Sequence, residues 1–272
     1  MHLVTGFISA INERADRHLT KYIALGKELL SVEIKTTCFL ERTVFDQYIR
    51  PELTSPMSDI RSWCAFSYLI CGHVTFVFFE KSDLFLWAYR ELATQFSVNT
   101  GNPNKDTLEY MMVQCQKPEW VALAIQLSRS LDPFAVSEFA WIDFGVFHMF
   151  GGSVDTFQLS LYEWRNRVDK RVRREGESSV IRIAGCWDPT LSYAQDIYRD
   201  IFWVFAGSVF GGGEHRLERF AKCMRETCIR LLEERRSLMW EVNVWVLLYR
   251  KHPEWFSWYK SDHSHVLLDA YY

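Results

Sequence analysis

One stretch constrains the fold more than any other: Phe139-Ala140-Trp141-Ile142-Asp143-Phe144-Gly145-Val146-Phe147-His148, an apolar run broken by one carboxylate and a glycine. Apolar residues bounded in this way predict a buried strand, and in an α/β sheet ligands bind just beyond the carboxyl ends of the strands. Asp143 then stands at the lip of a crevice, where Gly145 lets backbone or ligand approach closely. A carboxylate there must be solvated, paired or metal-bound, because burying it bare is costly. The competing reading is an Asp that caps the turn after a strand.

Before that strand, His2 to Ala10 is β-rich, and Ile11 to Arg17 is a polar connection. His18 to Leu30 carries Leu19, Tyr22, Ile23, Leu25, Leu29 and Leu30 at helical spacing, and Glu33 to Leu40 reads as a second strand. The opening is therefore β-α-β, and its first turn contains Thr5, Gly6, Phe7 and Arg14, where a mononucleotide fold places a ligand. Taken alone, Arg14 reads as a solvated loop charge before it reads as a ligand-binding residue. Neither G-x-G-x-x-G nor G-x-x-x-x-G-K-[ST] occurs, which excludes the dinucleotide and P-loop readings. His73 to Phe79 is a third strand, Asp83 to Leu92 a short helix and Asn99 to Asp106 a loop by composition. Pro118, after Lys117, suits the first position of a helix running to Ser130.

After Gly151-Gly152, the mixed charges of Arg165 to Glu177 read as a solvated helix or hairpin, followed by a strand at Val180 to Ala184. Ile201 to Phe205 predicts another strand, opening into a glycine loop over residues 206–213, and Glu214 to Glu234 an amphipathic helix. Met239 to Arg250 is apolar and aromatic with Glu241 inside it; Pro253 stops it, and a polar tail holds Asp262, His263 and His265. No repeat or low-complexity linker divides the chain, so residues 1–272 read as one α/β domain.

Bulk properties remove several function classes. A net charge of −3 and a pI near 6.3 argue against a nucleic-acid partner. No apolar run approaches a membrane span, and the first residues lack the pattern of a signal peptide. Seven cysteines without a C-x-x-C pair suggest reduced thiols, so a soluble cytoplasmic protein is expected. Aromatics at 16%, with 11 Trp, are high; such residues build cores and also form stacking platforms for sugar rings or bases, which makes them a weak pointer.

Four features fall where sheet edges or turns are expected: the first turn, the Asp143 edge, the glycine stretch and the Glu241 segment. Glycines after a strand cradle a phosphate or form a floor for a hydroxylated substrate. An acid buried among aromatics, as Glu241 should be, needs a partner or a task. Asp143-Phe144-Gly145 also spells the kinase metal motif, but no H-R-D or strand lysine accompanies it. His263 and His265 read as solvated tail residues or as metal ligands.

Thr5-Gly6-Phe7 with Arg14, Lys117-Pro118-Glu119-Trp120-Val121, Phe139 to Gly145, Ala206 to Gly212, Glu241 to Trp245, His252-Pro253-Glu254 and Tyr259-Lys260-Ser261-Asp262 follow one another in this order. Together they resemble the HtrL/YibB-type glycosyltransferase-like proteins and related transferases of large DNA viruses such as those infecting chlorella algae. The resemblance implies a single GT-A, Rossmann-like domain with a mixed central sheet flanked by helices. Residues 1–150 would be its nucleotide-sugar-binding half and 151–272 its acceptor-binding half. It implies transfer of a pentose or hexose from a nucleotide-sugar, a UDP-sugar first, to a hydroxyl of a glycan or glycoprotein, in viral or host cytosol.

On that resemblance Asp143 faces the donor diphosphate through Mn²⁺ or Mg²⁺, and Thr5, Gly6, Phe7, Arg14, Lys117 and Gly145 hold the rest of the donor. Gly207, Gly211, Gly212 and Trp240 border the acceptor, with Glu241 as first candidate for the general base and Asp262 as second. The chain departs from the expected Asp-x-Asp, because Gly145 stands in the second place; the second metal ligand would be His263, His265, His148 or water, or else Lys117 or Arg14 would supply the positive charge in place of a metal. Two further readings compete: a non-catalytic protein of this fold that binds nucleotide-sugar or glycan, and a metal-dependent phosphoester hydrolase.

Overall fold

The computed structural model describes residues 1–9, 18–94, 106–134, 138–190, 196–262 and 264–271. Its strands are β1 (His2–Phe7), β2 (Thr36–Leu40), β3 (Arg61–Trp63), β4 (Phe66–Cys71), β5 (Val74–Phe78), β6 (Phe139–Ile142), β7 (Ile181–Gly185), β8 (Phe205–Gly212) and β9 (Phe256–Lys260). The longer helices are α1 (Leu19–Leu30), α2 (Leu108–Leu131), α3 (Val154–Glu175), α4 (Glu214–Arg235) and α5 (Glu241–Lys251). All nine strands join one mixed sheet in the order β3-β4-β5-β2-β1-β6-β8-β7-β9. The parallel strands β5, β2, β1 and β6 form its centre, and β8 runs antiparallel between β6 and β7. This is a Rossmann-like α/β arrangement.

Alternation along each strand sends side chains to opposite faces. Val4, Phe39, Val77, Trp141 and Phe210 pack under α2, α4 and α5. Leu3, Ala140, Ile142 and Val209 meet Phe157, Leu161 and Trp164 of α3 on the other face, where Phe7, Cys38 and Phe76 also receive Tyr22 and Ile23 of α1. Strands covered on both faces read as continuous apolar runs, which is why β2, β5 and β6 stand out in the sequence. The charge run before β7 is the solvated side of α3, whose Phe157, Leu161, Trp164 and Val168 are buried.

β2 lies on one side of β1 and β6 on the other, so the order of strands reverses between β1 and β6. Such a reversal opens a crevice outside the carboxyl ends of the two strands. Phe144, just past β6, closes the α1 side of it: a Cβ on Gly26 of α1 would lie 2.0 Å from its ring. In an exposed helix Gly→Ala gains about 1 kcal/mol. Here Gly26→Ala is expected to lower stability by about 1–3 kcal/mol through overpacking, seen as a lower urea midpoint at unchanged slope.

Three expectations are corrected. The glycine stretch over residues 206–213 is not a loop: eight buried residues of it and its neighbour form β8. A Cβ on Gly211 would stand 2.3 Å from the Tyr271 hydroxyl and 2.7 Å from the Phe139 carbonyl oxygen, so close packing and not loop geometry demands glycine there. The apolar residues from Ile201 precede β8, which begins at Phe205. Pro118 does not start a helix; α2 begins at Leu108, capped by Thr107, whose side chain accepts from the Tyr110 N–H. Pro118 sits inside α2 and cannot bond back to the Gln114 carbonyl. The helix is held from outside by Arg129 to Glu214 and Glu218 and by Arg225 to Glu119. Among the described residues no helix is long and apolar enough to cross a membrane.

Candidate functional site

A cleft of about 240 Å³ occupies the crevice between β1 and β6. Gly6 and Phe7 reach it from β1, Asp143 and Gly145 from the turn after β6, and Lys117 and Tyr110 from α2. Gly207 and Ser208 enter from β8, Trp203 from the approach to β8, and Trp240 and Glu241 from the start of α5. The Asp143 N–H donates to the Ser208 carbonyl at 3.0 Å, extending the β6–β8 pairing by one residue. Its carbonyl then accepts from the Val146 N–H at 2.9 Å and turns the chain away. The Trp141 indole donates to Asp143 Oδ1 at 2.7 Å, which fixes the carboxylate against the end of its own strand.

Lys117 is the centre of the site. Its Nζ lies 2.9 Å from Glu241 Oε1, 3.0 Å from the Gly207 carbonyl oxygen and 3.1 Å from Asp143 Oδ1. An ammonium has three N–H donors, so these acceptors use all of them. The Lys117 side chain is 4% exposed and Glu241 1%, whereas Asp143 remains 34% exposed at the cleft mouth. Burial works against the charge on Lys117, but the two carboxylates outweigh it and hold the ammonium above the ordinary lysine range. Trp141 adds its ring face, 5.9 Å from Nζ.

The surroundings are built to this cluster. A Cβ on Gly207 would come within 2.3 Å of Glu241 Oε1, so no side chain fits there without breaking the Lys117 pair. Burial, reinforced by the negative charges of Glu241 and Asp143, pushes the Tyr110 hydroxyl well above its usual range and keeps it a neutral donor. Glu241 Oε2 is buried and has no hydrogen-bond partner among the described residues. An unmet carboxylate oxygen of this kind costs about 1–3 kcal/mol or more.

Of the residues expected from sequence, Gly6, Phe7, Lys117, Asp143, Gly145, Gly207, Trp240 and Glu241 line this one cleft, together with His148. Thr5 is buried beside it without lining it. Gly211 and Gly212 pair with Ala140 and Phe139, at the start of β6 and so at the opposite end of the sheet from Asp143. Neither lines the cleft. Asp262, past β9, accepts from the Ser264 hydroxyl, and His265 lies 3.9 Å from Asp269; neither lines the cleft. Arg14 and His263 lie outside the described residues. Among those described, no group of three or more His, Cys, Asp or Glu side chains could hold a metal ion.

Two features escaped the sequence reading. Tyr110 and Trp203 passed as ordinary aromatics. Asn243, fully buried two residues after Glu241, donates from Nδ2 to the carbonyls of Ile197 at 2.8 Å and Asp200 at 2.7 Å. Its Oδ1 accepts from the Phe202 N–H at 3.0 Å. The signal was the same as for Glu241, a polar residue inside an apolar aromatic run.

Residues 88–267 match the model of a family described as a bacterial protein of unknown function (HtrL_YibB). That span holds Lys117, Asp143, Gly207 and Glu241, and leaves out β1. No curated protein and no solved structure matches the chain.

Proposed function

The chain belongs to the HtrL/YibB family of bacterial proteins of unknown function, and from its cleft we propose that it is a glycosyltransferase. It would move a pentose or hexose from a nucleotide-sugar, a UDP-sugar first, to a hydroxyl of a glycan or glycoprotein, within a GT-A-like fold. One observation carries this reading: Asp143 and Glu241 share a single cation, Lys117, in a cleft at the point where the strand order reverses. A module that only binds has no need of two acids so arranged.

Asp143, at the mouth, faces the donor diphosphate. Glu241, at the floor, holds the acceptor hydroxyl and takes its proton as the new bond to the anomeric carbon forms and the bond to the leaving phosphate breaks. Lys117 touches neither substrate, since its donors are all used; it holds the two carboxylates in place and is a positioning residue. Tyr110, kept protonated, is a further donor to the substrate.

The expected Mn²⁺ or Mg²⁺ fits in a restricted form. Asp143 Oδ1 already receives Trp141 and Lys117, which leaves Asp143 Oδ2 for an ion at the cleft mouth. Magnesium is commonly held by one or two carboxylates with substrate phosphates and water, so this set suits an ion that arrives with the donor. When bound, such an ion supplies Lewis-acid neutralisation of the leaving diphosphate. The lining favours the need for it, because one cation faces two carboxylates and a diphosphate adds more negative charge. The aromatic part of the lining, Tyr110, Trp203 and Trp240, favours a second reading, a protein of this fold that binds glycan without catalysis.

Thermal-shift titration with UDP, GDP, CMP and ADP, each with and without Mn²⁺, tests the proposal on wild type and Asp143→Ala. A nucleotide at about a hundred times its Kd stabilises the native state by about 2.7 kcal/mol, a rise of several degrees. A Mn²⁺-dependent rise with one nucleotide, lost in Asp143→Ala, is expected. A rise that ignores Mn²⁺ keeps the transferase and removes the ion. No rise with any nucleotide, in folded protein, leaves glycan binding.

A further inference from the structure

The two sides of the cleft differ in chemistry. Opposite Asp143, Trp203 and Trp240 stand edge to face with centroids 4.9 Å apart, and Tyr110 meets Trp240 at 5.5 Å in the same manner. Phe202, next to Trp203, packs edge-on against Trp187 at 6.2 Å, and Trp187 is 50% exposed. Trp187 follows β7 at the edge of the sheet where Asp143 also lies, since β7 runs antiparallel to β8 and β8 antiparallel to β6. A second aromatic pair, reaching the surface at Trp187, thus lies at the same end of the sheet as the cleft and follows directly on from its Trp203 wall in the chain. A single exposed Trp means little. Here the ring packs on Phe202, and the segment from Ile197 to Phe202 that leads into Trp203 is pinned at three backbone atoms by Asn243.

Charge narrows what fits that surface. Lys117 is saturated by protein acceptors, and the lining otherwise offers two carboxylates. An anionic sugar would meet net negative charge with no described cation free to answer it. Glu241 Oε2, buried and unpartnered, lacks a hydrogen-bond donor, which a sugar hydroxyl supplies. Neutral sugar rings combine an apolar C–H face with a rim of hydroxyls, and so match both the rings and the carboxylate.

We propose that this wall binds a neutral oligosaccharide, one ring on Trp203 and Trp240 with a hydroxyl on Glu241 Oε2, and the next sugar outward on Trp187. Its role as acceptor rests on the transferase reading; the saccharide site itself does not. Wild type, Trp187→Ala and Trp203→Ala are applied to an array of immobilised neutral and acidic oligosaccharides, with and without UDP and Mn²⁺. The best soluble binder is then titrated calorimetrically, as is the corresponding monosaccharide. Binding is expected for neutral chains alone. Trp187→Ala should weaken the oligosaccharide roughly tenfold and leave the monosaccharide unchanged, while its melting temperature stays at the wild-type value. Trp203→Ala should weaken both. Preference for acidic chains, equal affinity in Trp187→Ala, or no saccharide bound by folded protein would each overturn the inference. A nucleotide-induced shift without saccharide binding removes this site and keeps the transferase. Saccharide binding without a nucleotide shift keeps the site and removes the transferase.

Discussion

Lys117→Met is expected to lower stability by about 3–5 kcal/mol, because it strands a buried carboxylate without its counter-charge. Glu241 is 1% exposed and its second oxygen already lacks a partner, so nothing in the protein takes over from the ammonium. The Gly207 carbonyl loses its donor in the same step. Urea titrations of Lys117→Met, Glu241→Leu and the double variant measure this directly. The double variant should be more stable than Lys117→Met, since it removes the stranded charge along with its partner. If the double variant's loss equals the sum of the two single losses, the cluster is not an interacting unit and the site as described is wrong. The pH dependence has a definite sign. Lys117 is held above its unfolded value of 10.5, so its contribution is complete below that pH and disappears as pH rises through the folded value. The stability gap between wild type and Lys117→Met should therefore narrow in alkali.

Asn243→Leu should cost about 3 kcal/mol, although the two side chains share a branched shape and the same number of heavy atoms. It takes the donor from two carbonyls and the acceptor from one N–H, each worth about 1–3 kcal/mol when buried. The loss should also reach function selectively. With the segment ahead of Trp203 released, neutral-saccharide binding should fall while the UDP-induced thermal shift, which depends on the Asp143 side, is kept. Equal loss of both would mean that Asn243 supports the whole fold and not the aromatic wall.

What could be read from the sequence follows from burial. β1, α1, β2, β5 and β6 were legible because a buried parallel strand is an unbroken apolar run and α1 has one wet face. α2 was read from Pro118 onward because its first half is buried on nearly every side, from Met111 through Pro118, and shows no stripe to mark it as a helix. β8 was hidden by its glycines, which composition assigns to loops. Gly207 is excluded from bearing a side chain by Glu241, and Gly211 by Tyr271 and Phe139, all distant in the chain. For the site, Asp143, Glu241 and Lys117 were each visible as polar residues where apolar ones were expected. That Lys117 would bind the two acids rather than a donor molecule was not, since it depends on α2 passing over the ends of β6 and β8. Asp262 and His265 were drawn in by a polar tail that the structure leaves outside the cleft.

The Lys117 bonds also set an order of events for the chain. Its partners Gly207 and Glu241 lie 90 and 124 residues further along, so neither is available while the first half of the protein is being made. Contacts of such long range carry a heavy closure entropy and form late in folding. A growing or truncated chain lacking α5 has only Asp143 and the Gly207 carbonyl for Lys117, with the floor of the cleft open where Glu241 would stand. Competence to bind and completion of the sheet thus arrive together, and a half-made molecule has no partial site to misuse.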